Sequence, residues 1–283
     1  MKKILLISFF VTLGFVLKSQ VYQPPSETFN DGPYVKEHTQ DMIMTPYTPL
    51  READVQWTKR VWRTVDLKEK LNHPLFYPRK NTSNRYSLMQ AIVKEILAGN
   101  IIAFEDDEFV TKKDPKKLKE TLVVVGDSVD QAVYDDQGNE TFVRVPGAID
   151  STWIYENFRS IDIKEDWFFD KQKSVMEVRI VSIAFNALRV GKEELGPMTQ
   201  FVLHFPSIRP VLAKYEVFNT KNDAERRSFD DIFAKRQFSS VIVREANVYD
   251  RIIDAYARGI DALLEAERIK DDIFEYEHDF WHL

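Results

Sequence analysis

The sequence is poor in the residues that most readily signal chemistry. It contains no cysteine, which excludes disulfides, thiolate metal ligands, cysteine nucleophiles and lipidation of a processed N-terminus. Its nine glycines among 283 residues form no P-loop, dinucleotide-binding fingerprint or G-x-S-x-G turn. Acidic residues outnumber basic ones by 45 to 39, which argues against a nucleic-acid-binding protein. Composition alone therefore points to no reaction and to no cofactor.

The first residues have the layout of a secretory signal peptide. Two lysines precede an apolar run from Ile4 to Leu17, and the small residue Ser19 offers a cleavage site. The run is short for a membrane span, although a retained N-terminal anchor is the alternative. We predict a signal peptide over residues 1–19 and no transmembrane span after its cleavage. An exported chain without cysteine is typical of a bacterium.

An extended arm is predicted over residues 20–52. Five of the twelve prolines lie between Val21 and Ala53, where no apolar periodicity occurs. The arm also has many large apolar side chains, which gain free energy by finding a surface. It is therefore either a flexible tether or an arm that packs on a neighbouring subunit.

Six aromatic side chains are candidates for binding a partner. The two tryptophans among them lie in an arginine-containing segment that alternates as a strand, Val55–Leu67. Such tryptophans make cation–π or partner contacts, or they simply form core and rim, and both interpretations stay open. The candidates are Tyr22, Phe29, Tyr34 and Tyr47 of the arm, together with Trp57 and Trp62.

The rest of the chain predicts an α+β fold. We expect an antiparallel sheet centred on the hairpin 161–185, packed by helices and followed by a helical C-terminal region. The predicted regions can form one compact body, and they are an N-terminal α+β half (53–150), a central sheet region (151–221) and a C-terminal helical region (222–283).

The hairpin Ile161–Phe185 has the clearest strand pattern. Alternation along both strands predicts a turn over Asp170–Lys173 and a register that places Ile163 opposite Val181. The same register places Glu165 opposite Arg179, and we interpret this pair as a determinant of register and solubility. Because both faces of the second strand become apolar, we place it inside the sheet.

Helices are predicted on both sides of this hairpin. The segment Arg85–Ala98 has one broad apolar face, with Ser83 or Asn84 as its cap and Gly99 as its end. Ser228 begins a capping box that leads into a short helix. From Val248 onward, apolar residues recur every three or four positions and predict one long helix with Gly259 inside it.

No catalytic, cofactor-binding or metal-binding residue is assigned. His278 and His282 are one helical turn apart, but the aspartate between them is short and only one residue follows His282. The acidic run Glu105–Glu108 lacks the spacing of a cation loop. Two other functions stay open: a hydrolase that uses an unidentified pair of carboxylates, and a soluble module that binds a ligand.

Four long blocks carry a resemblance to a known family. They are VQWTKRVWRTVDLKEKLNHPLFYP, IKEDWFFDKQKSVMEVRIVSIAF, YEVFNTKNDAERRSFDDIFAKRQFSSVIVREANVYDR and ERIKDDIFEYEHDFWHL. In these blocks and their order, the chain from about Val55 to its end resembles the gliding motility and type IX secretion family GldN, called PorN in non-gliding relatives.

The resemblance implies a non-enzymatic, periplasmic protein of Bacteroidota. Members of this family assemble with the lipoprotein GldK (PorK) into a ring beneath the outer membrane, and they associate with the periplasmic part of GldM (PorM). The resemblance therefore implies self-association in a ring and attachment to the inner face of the outer membrane through a partner. It transfers no catalytic residues.

Overall fold

Most strands of this protein are segments in which apolar and polar residues alternate, and its helices are segments with one apolar face. The computed structural model describes residues 42–79, 85–122, 124–125, 129–134, 140–145, 149–150, 157–188, 196–219, 222 and 224–280. These residues belong to one compact unit, Thr39–Leu283.

The strands and helices are numbered here in chain order. The strands are β1 (Val55–Asp66), β2 (Val124–Val125), β3 (Val129–Tyr134), β4 (Glu140–Val145), β5 (Ile149–Asp150), β6 (Phe158–Asp170), β7 (Val175–Leu188), β8 (Pro197–His204), β9 (Glu216–Val217), β10 (Arg227–Ser228) and β11 (Val241–Glu245). The α-helices are α1 (His73–Phe76), α2 (Leu88–Leu97), α3 (Pro115–Leu122), α4 (Phe205–Leu212), α5 (Phe229–Ala234) and α6 (Ile260–Phe280).

Five of these strands form one antiparallel sheet in the order β11-β1-β6-β7-β8. The expected α+β fold with the central hairpin in its sheet is therefore confirmed, and β7 lies inside the sheet as predicted. Three two-stranded pairs accompany it, namely β2 with β5, β3 with β4, and β9 with β10. The strands β3 and β4 pair antiparallel along their whole length, from Val129 opposite Val145 to Tyr134 opposite Glu140.

The register of the central hairpin differs from the predicted one. Ile163 pairs with Ile183 instead of Val181, and the register shifts between Lys164 and Glu165. Val181 is the extra residue in β7, so the two strands meet at a β-bulge. Because both faces of β7 have apolar residues there, alternation in the sequence did not reveal the extra residue.

The bulge also changes the charge pairing. Glu165 pairs with Ile180, and Arg179 pairs with Asp166, so the predicted Glu165–Arg179 pair is wrong. The turn is also one residue further on than predicted. It comprises residues 171–174, because Asp170 still pairs across the ladder with the first residue of β7.

One face of the sheet is covered by helices and holds two apolar clusters. The larger cluster joins Val65, Ile161 and Ile163 to the helices α2, α4 and α5. The smaller one joins Val61 of β1 to β11 and α6. Val61 and Val65 point to the same side of β1, so both clusters lie on one face at different ends of the strands.

The opposite face carries a row of polar side chains that crosses four strands. The Thr64 hydroxyl donates to Asp162 at 2.6 Å, and the Asn186 amide donates to the other oxygen of Asp162 at 2.7 Å. Thr199 on β8 donates to the carbonyl oxygen of the Asn186 side chain at 2.8 Å. These bonds tie β1, β6, β7 and β8 together, and each one satisfies a polar group that the sheet partly buries.

Among the described residues, Phe104 forms a β-bridge with the outer side of β8. Phe104 donates its N–H to the carbonyl of Val202 at 2.8 Å and accepts from the Val202 N–H at 2.9 Å. The bridge involves a single residue of the loop after α2. The bridge shields part of an edge that would otherwise be open to pairing.

The caps of the helices follow from short polar motifs. The cap of α2 is Ser87, whose hydroxyl accepts from the Gln90 N–H at 3.2 Å while the Gln90 side chain accepts from the Ser87 N–H at 3.0 Å. The expected cap at Ser83 or Asn84 is wrong by three or four residues. The capping box at Ser228 is confirmed, with Asp231 as its acidic member.

The C-terminal third is not helical throughout. Residues 241–245 form β11 and pair with β1, in a region where the sequence predicted helices only. The long helix begins at Ile260 rather than near Val248, because Gly259 has φ +61° and stands outside it. Residues with φ in this left-handed range do not continue an α-helix.

Within the described part of the chain, no helix combines the length and the apolarity that a membrane crossing requires.

Candidate functional site

Tyr47 marks the place where the described end of the arm meets the body. Its ring lies on two guanidinium groups, 4.1 Å from that of Arg209 on α4 and 5.0 Å from that of Arg179 on β7. Both contacts are in the range of cation–π interactions. Burial raises the pKa of the Tyr47 hydroxyl, and the nearby arginines oppose that shift.

Backbone carbonyls of the same segment accept hydrogen bonds from the same cations. Arg209 donates to the Thr45 carbonyl at 2.7 Å, and Arg179 donates to the Thr48 carbonyl at 2.6 Å. Lys173, in the turn before β7, donates to the Thr48 hydroxyl at 2.7 Å. Three cations therefore attach residues 45–48 to the body along β7 and α4. We call Tyr47, Arg179 and Arg209 the arm anchor.

The arm anchor rests on a buried ion pair. Arg209 donates to both carboxylate oxygens of Asp230 on α5, at 2.7 and 3.0 Å. The side chains of Arg209 and Asp230 are 3% and 7% exposed. Because the pair is bidentate and shielded, the guanidinium is held in one orientation for the arm carbonyl.

Trp57 contacts the C-terminal helix of its own chain. Its ring lies 5.3 Å from the ring of Tyr276 on α6, and it packs against the smaller apolar cluster. The candidate contact residue is therefore engaged within the subunit. Trp57 is partly exposed.

Trp62 lies on the other face of β1 and is surrounded by charge. The Arg244 guanidinium stacks 3.7 Å from its ring, and the indole N–H donates to Asp107 at 3.5 Å. Lys164 joins the same group through an ion pair of 3.1 Å with Asp107. This half-buried group ties the loop around Asp107 to the polar face of the sheet.

The structure does not bring the candidate residues into one site. Trp57 and Trp62 are on opposite faces of β1, whereas Tyr47 contacts Arg179 of β7 and Arg209 of α4. The other three candidates, Tyr22, Phe29 and Tyr34, lie outside the described residues.

Sequence reasoning missed the buried carboxylate at Glu165. This side chain is fully buried, with Arg63 Nε at 3.3 Å and Arg236 Nη2 at 3.0 Å from its oxygens. The indole N–H of Trp167 donates to it at 3.0 Å. Burial lowers the pKa of Arg63, and the charge of Glu165 opposes that shift. The group lies between the two apolar clusters and acts as a charged link inside the covered face.

A pocket of about 370 Å³ opens between the loop after α2 and the start of α4. Such a volume is within the range of ligand-binding pockets. Its lining residues are Asn100, Ile101, Ile102, Phe104, Phe109, His204, Ser207 and Ile208.

Two polar residues of this pocket, His204 and Ser207, contact each other. The His204 Nδ1 is 2.6 Å from the Ser207 hydroxyl oxygen, and burial lowers the pKa of the imidazole. A neutral imidazole beside a hydroxyl is part of a nucleophilic arrangement, which also needs a group that orients the imidazole. Among the described residues, no carboxylate hydrogen-bonds to His204 in that role.

The described residues contain no group of three or more His, Asp or Glu side chains that could hold a metal ion. In the acidic run Glu105–Glu108, Asp107 forms the ion pair with Lys164. His282 lies outside the described residues, so the structure gives no distance between His278 and His282.

Comparison with known proteins gives one family. Residues 50–282 match the family described as gliding motility associated protein GldN, which covers both tryptophan candidates and every strand of the central sheet. A search of curated proteins found no match. The match spans most of the chain and agrees with the blocks that carried the resemblance, so this protein belongs to the GldN family of gliding motility associated proteins.

Proposed function

We propose that the protein is a non-enzymatic structural subunit of the gliding motility and type IX secretion machinery, which assembles with the lipoprotein GldK (PorK) into a ring. Membership of the GldN family supports a component of this machinery. The observation that carries the structural role is the arm anchor, because it gives the arm a defined exit from a rigid sheet.

The arm anchor lies where β7 has a neighbouring strand on one side, β6. Among the described residues β8 pairs with residues 182–188 of β7, so the half nearest the turn has no described strand on its other side. Arg179 projects from that half and donates to the arm carbonyl at Thr48. A connector that leaves the body at one place can contact a neighbour in a constant direction, and closed symmetry then multiplies each weak contact.

In this proposal the ring lies in the periplasm beneath the outer membrane. The lipoprotein supplies the membrane attachment, since we assign no membrane span to the mature chain. The periplasmic part of GldM (PorM) is the second partner. Of the candidate residues, Tyr22, Phe29 and Tyr34 belong to the part of the arm that would contact a neighbour, and Tyr47 holds its base.

The test removes the arm and keeps its anchor. A variant that lacks residues 20–41 but retains the signal sequence is expressed in a bacterium with this machinery, and the lipoprotein is purified with its partners. We expect the unmodified protein to co-purify in rings visible by electron microscopy, and the shortened variant to yield no rings. The double variant Tyr47→Ala/Arg179→Ala should weaken the rings without removing the arm.

Two results would overturn parts of this proposal. Intact rings from the shortened variant, with normal export and thermal unfolding, would show that the arm does not connect subunits. Absence of the unmodified protein from the lipoprotein complex would reject the ring function itself.

A second candidate function is a soluble ligand-binding module, which the pocket beside His204 favours. The variant Ile102→Trp would fill this pocket from the loop after α2, where Ile102 is 53% exposed. Loss of secretion or gliding with intact rings would support a ligand there. Full activity of a folded variant would reject it.

A further inference from the structure

The outward face of α6 carries large apolar side chains that the described part of the chain leaves exposed. Ile260 is 75% exposed, Leu264 63% and Phe274 69%. The opposite face of the helix is buried on the sheet through Ala266, Ile269 and Ile273. An amphipathic surface helix would place polar residues on its outer side, so these three positions call for an explanation.

The outward residues follow the spacing of a coiled-coil seam. From Ile260 the steps along the helix are four, three, four, three and four residues, which is the heptad spacing. Two apolar residues begin this row, two acidic residues follow, and an aromatic residue comes next. The row is Ile260, Leu264, Glu267, Asp271, Phe274 and His278.

The helix is also strongly acidic. It contains eight Asp and Glu residues but only two basic ones, Arg268 and Lys270. Within the row, Asp271 forms no ion pair in the described part of the chain. Glu267 is 2.7 Å from Lys270, but both side chains are about 60% exposed, so this pair can rearrange at low cost.

A second copy of this helix is a poor occupant of the row. A parallel pair places Glu267 opposite Glu267 and Asp271 opposite Asp271. An antiparallel pair centred on the same row places Glu267 opposite Asp271. Both arrangements bring like charges together inside an apolar seam, which disfavours pairing.

We propose that this face of α6, which we call the α6 seam, binds a basic amphipathic helix of another protein. That helix places apolar side chains against Ile260, Leu264 and Phe274, and it places Lys or Arg against Glu267 and Asp271. Charge complementarity identifies the partner, since the centre of the seam is acidic and its ends are apolar. The inference goes beyond the proposed ring, because it concerns a surface distant in sequence from the arm.

The experiment uses two labelled peptides and the purified protein. Both peptides have three heptads with Ile and Leu at the seam positions, and they differ only at two central seam positions, which are Lys in one peptide and Glu in the other. Fluorescence anisotropy at about 150 mM salt measures binding, since long-range attraction is then largely screened. We expect the Lys peptide to bind at least about tenfold more tightly than the Glu peptide.

Charge reversal gives the sharper result. In the variant Glu267→Lys/Asp271→Lys the preference should reverse, so that the Glu peptide binds more tightly. The variant Leu264→Ser should lose at least about tenfold in affinity for the Lys peptide. Leu71→Ser is the matched control, because Leu71 is equally exposed, at 60%, but lies outside the seam. Because all these positions are exposed, we expect each variant to fold, and thermal unfolding checks this.

Three results would overturn the proposal. They are equal binding of both peptides, binding of neither peptide, and unchanged preference in the charge-reversed variant. Analytical ultracentrifugation adds a fourth: self-association that Leu264→Ser abolishes would make a second copy the occupant of the seam.

Discussion

Glu165 on β6 and Arg63 on β1 form an ion pair of 3.3 Å in the covered face of the sheet, between its two apolar clusters. The carboxylate also pairs with Arg236, so two guanidinium groups share one buried negative charge. Removing the carboxylate leaves two cations without their counter-charge, and the side chain of Arg63 is only 9% exposed.

We expect Glu165→Gln to lower the free energy of unfolding by about 3–5 kcal/mol, because both guanidinium groups lose their counter-charge. Urea unfolding measures this change. Glu177→Gln is the control on the neighbouring strand, since its pair with Lys173 is partly exposed and should cost less than about 1 kcal/mol. Equal effects of the two substitutions would contradict the assigned burial of Glu165.

The arm anchor predicts that breaking the buried Arg209–Asp230 pair also loosens the arm. Asp230→Asn should destabilise the fold by about 3 kcal/mol, because Arg209 stays buried without its counter-charge. It should also loosen residues 45–48, which Arg209 holds through the Thr45 carbonyl. Trypsin cleavage after Arg51 should therefore become faster in this variant.

The control for this cleavage is Asp272→Asn, which breaks a partly exposed pair with Arg268 on α6. Its cleavage rate after Arg51 should equal that of the unmodified protein. If Asp230→Asn also leaves the rate unchanged, the buried pair does not support the arm.

Replacing Gly259 by alanine should change the stability of the protein, and the sign of the change tells whether Gly259 lies inside α6 or in front of it. A glycine inside a helix costs stability, so replacing it by alanine would stabilise the protein by roughly 1 kcal/mol. With φ +61° in front of α6, alanine is strained, and Gly259→Ala should instead destabilise the protein by about 1 kcal/mol. In the described part of the chain no atom beyond the adjacent residues lies within 4 Å of the added Cβ, so the backbone conformation decides the sign. Thermal unfolding measures it, and stabilisation would place Gly259 within the helix.

His204 predicts a loss of stability in mild acid. Burial lowers the pKa of the folded imidazole, whereas the unfolded chain titrates near its ordinary value of about 6.5. Between these two pKa values the unfolded state binds the proton and the folded state does not, so stability falls as the pH falls below about 6.5. His204→Asn should therefore show a shallower decline in unfolding free energy from about pH 7 to pH 5.

Ser207→Ala is the matched variant for this pH dependence. It removes the hydroxyl beside Nδ1 but keeps the buried imidazole, so the decline should persist. A decline of equal steepness in His204→Asn and the unmodified protein would assign the acid sensitivity to other groups.

Much of the fold could be predicted from local patterns. Alternation gave β1, β6 and most of β7, and a capping motif gave the start of α5 at Ser228. The bulge at Val181 could not be predicted, because both faces of β7 are apolar there and only packing against its neighbours decides which residue is extra.

The burial of Glu165 left a signal in the sequence. It alternates with Ile161, Ile163 and Trp167, which places a carboxylate on the face that becomes the core. A buried carboxylate needs a cation, but Arg236 is 71 positions away along the chain. The sequence could therefore predict that a partner exists but not which residue it is. The same holds for Tyr47, whose cations come from β7 and α4.

The pairing of β11 with β1 couples the two ends of the described chain. Residues 61–64 of β1 lie against β11, and Arg63 of β1 also contacts Ser240, 177 positions later. During synthesis, the edge of β1 that faces β11 therefore stays unpaired until residues 241–245 have been made. Contacts this distant in sequence form slowly, and an open strand edge invites pairing with another molecule. A chain interrupted before β11 would leave that edge open, so β11, the last strand of the sheet to be made, protects this part of β1 against pairing with another molecule.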